Sequence, residues 1–101
     1  MKSLGKKQAE YVRRLKTARR KQTKGGMISK EYGCCALSLG YLMVEKKPDE
    51  WVSYNALRKK LGFSFSGMTA VWNMNDQRKA SFREIGKAIE ADPNRFFERR
   101  V

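Results

Sequence analysis

Residues 34–44 read CCALSLGYLMV, a run without a single charged side chain. Its apolar residues fall on every side of a 3.6-residue repeat, so it reads as a helix enclosed by other helices, the centre of the fold. Gly40 lowers the helix propensity of the run by about 1 kcal/mol relative to alanine, but it permits a neighbouring helix to approach closely.

Working outward in the C-terminal direction, Glu45-Lys46-Lys47-Pro48-Asp49 is a loop, because the residue before a proline is disfavoured in helical conformation. Ser53 is placed to N-cap a helix over Tyr54–Leu61, which Gly62 stops. Ser66 suits the cap of the next helix, Gly67 to Met74. Ser81-Phe82-Arg83-Glu84 is a capping box, in which the hydroxyl and the carboxylate satisfy each other's backbone donors. The helix that it opens should bury Phe82, Ile85, Ala88 and Ile89. Asp92-Pro93 then ends this helix or starts a short last one carrying Phe96 and Phe97.

In the other direction, Met27-Ile28 and Tyr32 around Ser29-Lys30-Glu31 suit a short β-hairpin. Ser3 to Lys24 holds only one glycine, Gly5 near its start, and no proline, and Gly25-Gly26 suits a C-cap. At 100° per residue Leu4, Tyr11, Leu15 and Ala18 lie within about 60° of one another, with Val12 on the flank. This is an amphipathic helix docked by a narrow edge. The expectation is a mainly α protein: a small single domain of about five or six helices over residues 27–101, with a basic N-terminal helix over residues 1–26.

Charge is distributed unevenly. Of 23 Lys and Arg, eleven fall in residues 1–30 against the single acid Glu10, whereas residues 31–101 hold twelve against nine acids. A net charge of +13 is therefore carried mostly by the first third of the chain. No apolar run approaches the roughly 18 residues that a membrane span needs. Met1-Lys2-Ser3 is followed by no apolar signal region, so the reading is a cytoplasmic protein.

Cys34-Cys35 suggests a redox pair, a metal half-site or a nucleophile, and each lacks partners. Zinc needs three or four ligands drawn mainly from Cys and His, and the chain has two Cys and no His. A nucleophilic thiol needs an activating base. The pair reads as small buried residues. Asp76 and Glu84 are the remaining acid–base candidates, but Glu84 is engaged in the capping box. The expectation is a protein that is not an enzyme and uses neither cofactor nor metal.

Several short blocks carry a resemblance. Tyr11-Val12-Arg13-Arg14-Leu15, Lys21-Gln22-Thr23-Lys24-Gly25, Tyr32-Gly33-Cys34-Cys35-Ala36-Leu37, Trp72-Asn73-Met74-Asn75-Asp76 and Ser81-Phe82-Arg83-Glu84-Ile85-Gly86 follow one another in order. In this the chain resembles a group of small, mostly uncharacterised proteins of tailed bacteriophages and some bacteria. Ala36-Leu37-Ser38-Leu39-Gly40 departs from that group's Leu-Gly-Val-Leu, and the N-terminus is more basic. The resemblance implies a phage or bacterial cytosolic protein and no particular reaction.

A basic run with one acid is more than a solvated face, which would carry compensating i,i+4 acids; here only Glu10 is placed to pair, with Arg13 or Arg14. The reading is an accessory protein binding nucleic acid, DNA or RNA, largely through phosphates. Its contacts are Lys6, Lys7, Arg13, Arg14, Lys16, Arg20, Lys21 and Lys24, with Lys59 and Lys60 added by the domain. The alternative is an adaptor docking on an acidic surface of a host protein. Residues 55–71 have the spacing of a helix-turn-helix, but Arg58 is too large for a helix crossing and the second helix lacks early Arg, Gln or Asn to reach base edges. Stacking on single strands offers another route. Trp51 and Tyr54 are its candidates, while Tyr11 and Trp72 suit the core.

Overall fold

The computed structural model describes residues 4–19, 22, 35–47 and 51–101. Six α-helices follow one another among these: α1 (Lys6–Thr17), α2 (Ala36–Val44), α3 (Tyr54–Leu61), α4 (Phe65–Trp72), α5 (Phe82–Ala91) and α6 (Pro93–Phe96). A π-helical turn, Asn73–Gln77, extends α4. Among the described residues no sheet forms, and Phe63 and Phe97 make an isolated antiparallel bridge. The mainly α architecture is as the sequence reads. The hairpin expected at residues 27–32, the boundary at 26–27 and Cys34 lie outside the described residues. No described helix is long and apolar enough to cross a membrane.

Helix α2 is the centre. Ala36, Leu37, Ser38, Leu39, Gly40 and Tyr41 are all buried, and α1, α3 and α4 pack around them. Gly40 serves the close approach its position suggests: a Cβ there would stand 2.9 Å from Tyr11 Cε1 and 3.1 Å from Leu61 Cδ1. The Tyr11 hydroxyl crosses the core to donate to the Ala36 carbonyl at 2.7 Å, and its ring meets Phe63 edge-on at 5.8 Å. Tyr11, Val12 and Leu15 belong to the same core as Leu57, Val71, Ile85 and Phe96. Each such side chain contributes about 1.5–3 kcal/mol through burial.

Helix α3 keeps its expected limits. Ser53 Oγ accepts from Ala56 N, and Gly62 closes the helix at φ +76°, a left-handed conformation that glycine adopts without strain. Two boundaries differ from the sequence reading. The cap of α4 is Ser64, whose Oγ accepts from Gly67 N at 2.9 Å; Ser66 lies inside the first turn. Ser64 prevails because its N–H is also held by the Phe96 carbonyl at 3.0 Å, a tertiary bond. Helix α1 stops at Thr17 instead of Lys24, with Ala18 extended. Leaving the helix there lets Gln22 bond to Asn75 and Ala80 and accept from the Phe82 N–H.

Helix α5 opens with the capping box, Ser81 N to Glu84 Oε1 at 3.0 Å and Glu84 N to Ser81 Oγ at 3.1 Å. It buries Phe82, Ile85 and Ile89, with Ala88 only partly covered. The backbone N–H of Ser81, then its hydroxyl, hold the Glu84 carboxyl below its ordinary value of 4.5, with Lys87 adding to the effect. A folded-state value below the unfolded one means the cap's ionic contribution is present above that ordinary value and is lost as pH falls through the folded value. Thermal melts should therefore show a Tm advantage over Glu84→Gln near neutral pH that closes progressively as pH falls below the ordinary carboxyl value. An advantage independent of pH would show that the charge is not the source.

Candidate nucleic-acid interface

Gln8 occupies a position where an apolar residue would be expected, fully buried on the inner face of α1. Its amide organises one end of the molecule. Oε1 accepts from Gly5 N at the start of α1. Nε2 donates to the Leu61 carbonyl at 2.8 Å and to the Arg99 carbonyl at 2.5 Å. The tail is further held by Lys7 N to the Val101 oxygen at 2.9 Å and Glu98 N to the Gly62 carbonyl at 2.8 Å. Arg99 Nη2 then donates to the carbonyls of Arg58 and Lys59 at 2.7 and 2.8 Å. It thereby adds a second bond to the Arg58 carbonyl, which already accepts from Gly62 N at 3.1 Å, and reaches that of Lys59, at a helix C-terminus where the dipole also favours a cation.

The first turn of α1, the last turn of α3 and the tail thus meet. They bring Lys6 and Lys7, Arg58, Lys59 and Lys60, and Arg99 and Arg100 to one end. Two carboxylates answer them: Glu98 stands 3.2 Å from Arg58 Nε and Glu45 3.1 Å from Lys60 Nζ. Both pairs are exposed, and exposed pairs contribute only about 0–1 kcal/mol, so a phosphate can compete for either cation. Lys6, Lys7 and Lys59 are exposed and form no ion pair among the described residues.

The other expected contacts are placed differently. Arg13 and Arg14 share Glu10 at 3.7 and 3.1 Å, and Lys16 reaches Glu90 of α5 at 3.1 Å. Arg20, Lys21 and Lys24 lie outside the described residues. Arg99 and Arg100 were not singled out in the sequence. The doublet is visible there, but its connection to α3 runs through contacts 40 or more residues apart.

Beside the basic end, α3 and α4 enclose an apolar groove of about 200 Å³, lined by Leu37, Tyr54, Phe65, Met68, Thr69 and Trp72. The large exposed apolar side chains among the described residues are all aromatic: Trp51 (62%), Tyr54 (48%), Phe65 (68%) and Trp72 (38%). Trp51 and Tyr54, the stacking candidates, are exposed, and Tyr11 is buried, as its place in the apolar stripe suggests. Trp72, expected in the core, is exposed, because α4 turns Met68 and Val71 inward and leaves the Phe65–Trp72 side outward. Phe65 escaped notice because a cap at Ser66 would put it in the turn. The Arg58 guanidinium lies 5.3 Å from the centre of the Phe65 ring, a cation–π distance. Arg58 therefore runs outward over an aromatic face and joins the groove to the basic end.

A second polar cluster is buried. Asn75, carried inward by the π-turn, accepts at Oδ1 from Ala36 N at 3.1 Å and Gln22 Nε2 at 2.7 Å, and donates from Nδ2 to Asp76 at 2.7 Å. Cys35, also buried, N-caps α2 by accepting from Ser38 N. Gln22, Cys35, Asn75 and Asp76 are far apart in sequence, apart from the adjacent last two, and here they hold helix ends together. Among the described residues no group of three or more Cys, Asp or Glu side chains is arranged to hold a metal ion. Comparisons of the chain with protein-family models, with curated proteins and with solved structures found no match.

Proposed function

We propose that this protein binds nucleic acid through phosphate contacts at the end built from α1, α3 and the tail. On this reading it is a phage-type accessory protein of the bacterial cytoplasm, occupying nucleic acid during transcription, replication or translation. One observation carries the reading: three segments remote in sequence deliver cations to one end, and the two carboxylates there sit in exposed, exchangeable pairs. Each phosphate neutralised on a duplex releases counterions and contributes about −0.9 to the slope of log K against log salt.

The test is fluorescence anisotropy with a labelled duplex across about 50 to 200 mM salt. The triple variant Lys6→Gln, Lys7→Gln, Lys59→Gln removes cations that form no ion pair among the described residues. It should weaken binding roughly 10- to 100-fold at the low end and flatten the slope by about 2 to 3. Arg13→Gln with Arg14→Gln should cost less, since Glu10 already engages both. Salt-independent binding, no binding, or a triple variant equal to the parent would sink the proposal.

A further inference from the structure

We infer that the groove between α3 and α4 takes an unstacked base, so that the preferred ligand is a single strand. The inference rests on the phosphate-contact reading and adds what lies beside the cations.

The chemistry of the groove favours a base. Its rim is aromatic, from Tyr54, Phe65 and Trp72, with Leu37 and Met68 completing an apolar lining. Every base has a π-face, so such a rim accepts any of them, and stacking requires the base to be out of a duplex. Neither α3 (YNALRKKL) nor α4 (FSGMTAVW) contains an acid. Arg58 stands at the groove edge over Phe65, anchored by Glu98. Phosphates on one side of a seated base would meet Arg58 first and then Lys59, and the strand would continue along the basic end.

Dimensions weigh against the other occupant, an amphipathic acidic helix. Such a helix sets anchors at i, i+3 or i+4 and i+7, a ridge about 10 Å long. A groove of about 200 Å³ bounded by six side chains is the size of one ring system rather than a row of three anchors.

The experiment follows the indole emission of the full-length chain, since Trp72 lines the groove and Trp51 is exposed. Three probes are titrated at low salt: oligo(dT), a duplex with the same number of phosphates, and an acidic amphipathic helical peptide. Oligo(dT) should quench the emission and bind tighter than the duplex. Phe65→Ala, at a side chain 68% exposed and so dispensable for folding, should weaken oligo(dT) about 5- to 100-fold. Its duplex affinity should fall far less, since among the described cations at that end only Arg58 lies against Phe65, and Glu98 still anchors it. Tyr54→Ala should act in the same direction. Equal binding of strand and duplex, untouched by Phe65→Ala, would overturn this inference and leave phosphate binding standing. Quenching by the peptide and not by oligo(dT) would overturn it in favour of protein docking. Failure of both nucleic acids to bind would remove the phosphate reading as well.

Discussion

Gly67→Ala is expected to lose about 3 kcal/mol or more, beyond the usual cost of one extra methyl in a core. Gly67 lies buried in the first turn of α4, where α6 crosses. A Cβ there would overlap the Phe96 carbonyl oxygen and stand 2.5 and 2.6 Å from the carbonyl carbon and Cα. These are backbone atoms, so no rotamer change relieves the clash. Nor is the carbonyl free to swing away, because it accepts from both the N–H and the hydroxyl of Ser64. Relief would need α6 to lift, uncovering Phe96. In a domain whose whole stability is of the order of 5–15 kcal/mol, this is a large share. At about 4–8 °C per kcal/mol, Tm should fall by at least about 12 °C. A melt within a degree or two of the parent would show that α4 and α6 are not in tight contact.

Asn75→Leu should be nearly as damaging for the opposite reason, an absence rather than an excess. Leucine has the branching and heavy-atom count of asparagine, but it accepts nothing from Ala36 N or from the Gln22 amide. A buried donor left without a partner costs about 1–3 kcal/mol, so the loss should be about 2–5 kcal/mol by urea denaturation. Gln22 retains the Ala80 carbonyl at 2.6 Å, which places the effect toward the lower half of that range. A cycle with Gln22→Leu should return a coupling of about 0.5–3 kcal/mol. Additive losses would mean that the two amides do not act as a unit.

What could be read from the sequence was what neighbouring residues decide. The capping box at Ser81, the serine–glycine bracket around α3 and the enclosed character of α2 are local, and all three stand in the structure. The reading failed where distant atoms chose between local equals. Ser64 and Ser66 are both fit to cap α4, and the Phe96 carbonyl selects the first. A stretch without proline, running to Gly25-Gly26, promised a longer α1, and Gln22 leaves the helix because Asn75 and Ala80 offer its side chain partners. The site divides in the same way. Lys6, Lys7, Lys59 and Lys60 were visible as charges, and Trp51 and Tyr54 as candidate stacking rings. Their assembly was not visible, since it depends on an amide at Gln8 within an apolar stripe and on carbonyl contacts spanning most of the chain.

The Gln8 bridge also has a bearing on synthesis. Its bond to Arg99 joins residues 91 positions apart, a loop whose closure cannot begin until both ends exist. On a ribosome, α1 emerges before α3 with the Gln8 Nε2 still lacking its distant acceptors, and the last turn of α3 waits for the Arg99 guanidinium. The cationic end is therefore completed only after residues 98–101 have left the exit tunnel. A nascent chain, or one clipped ahead of Arg99, would carry most of the charge without the contacts that arrange it.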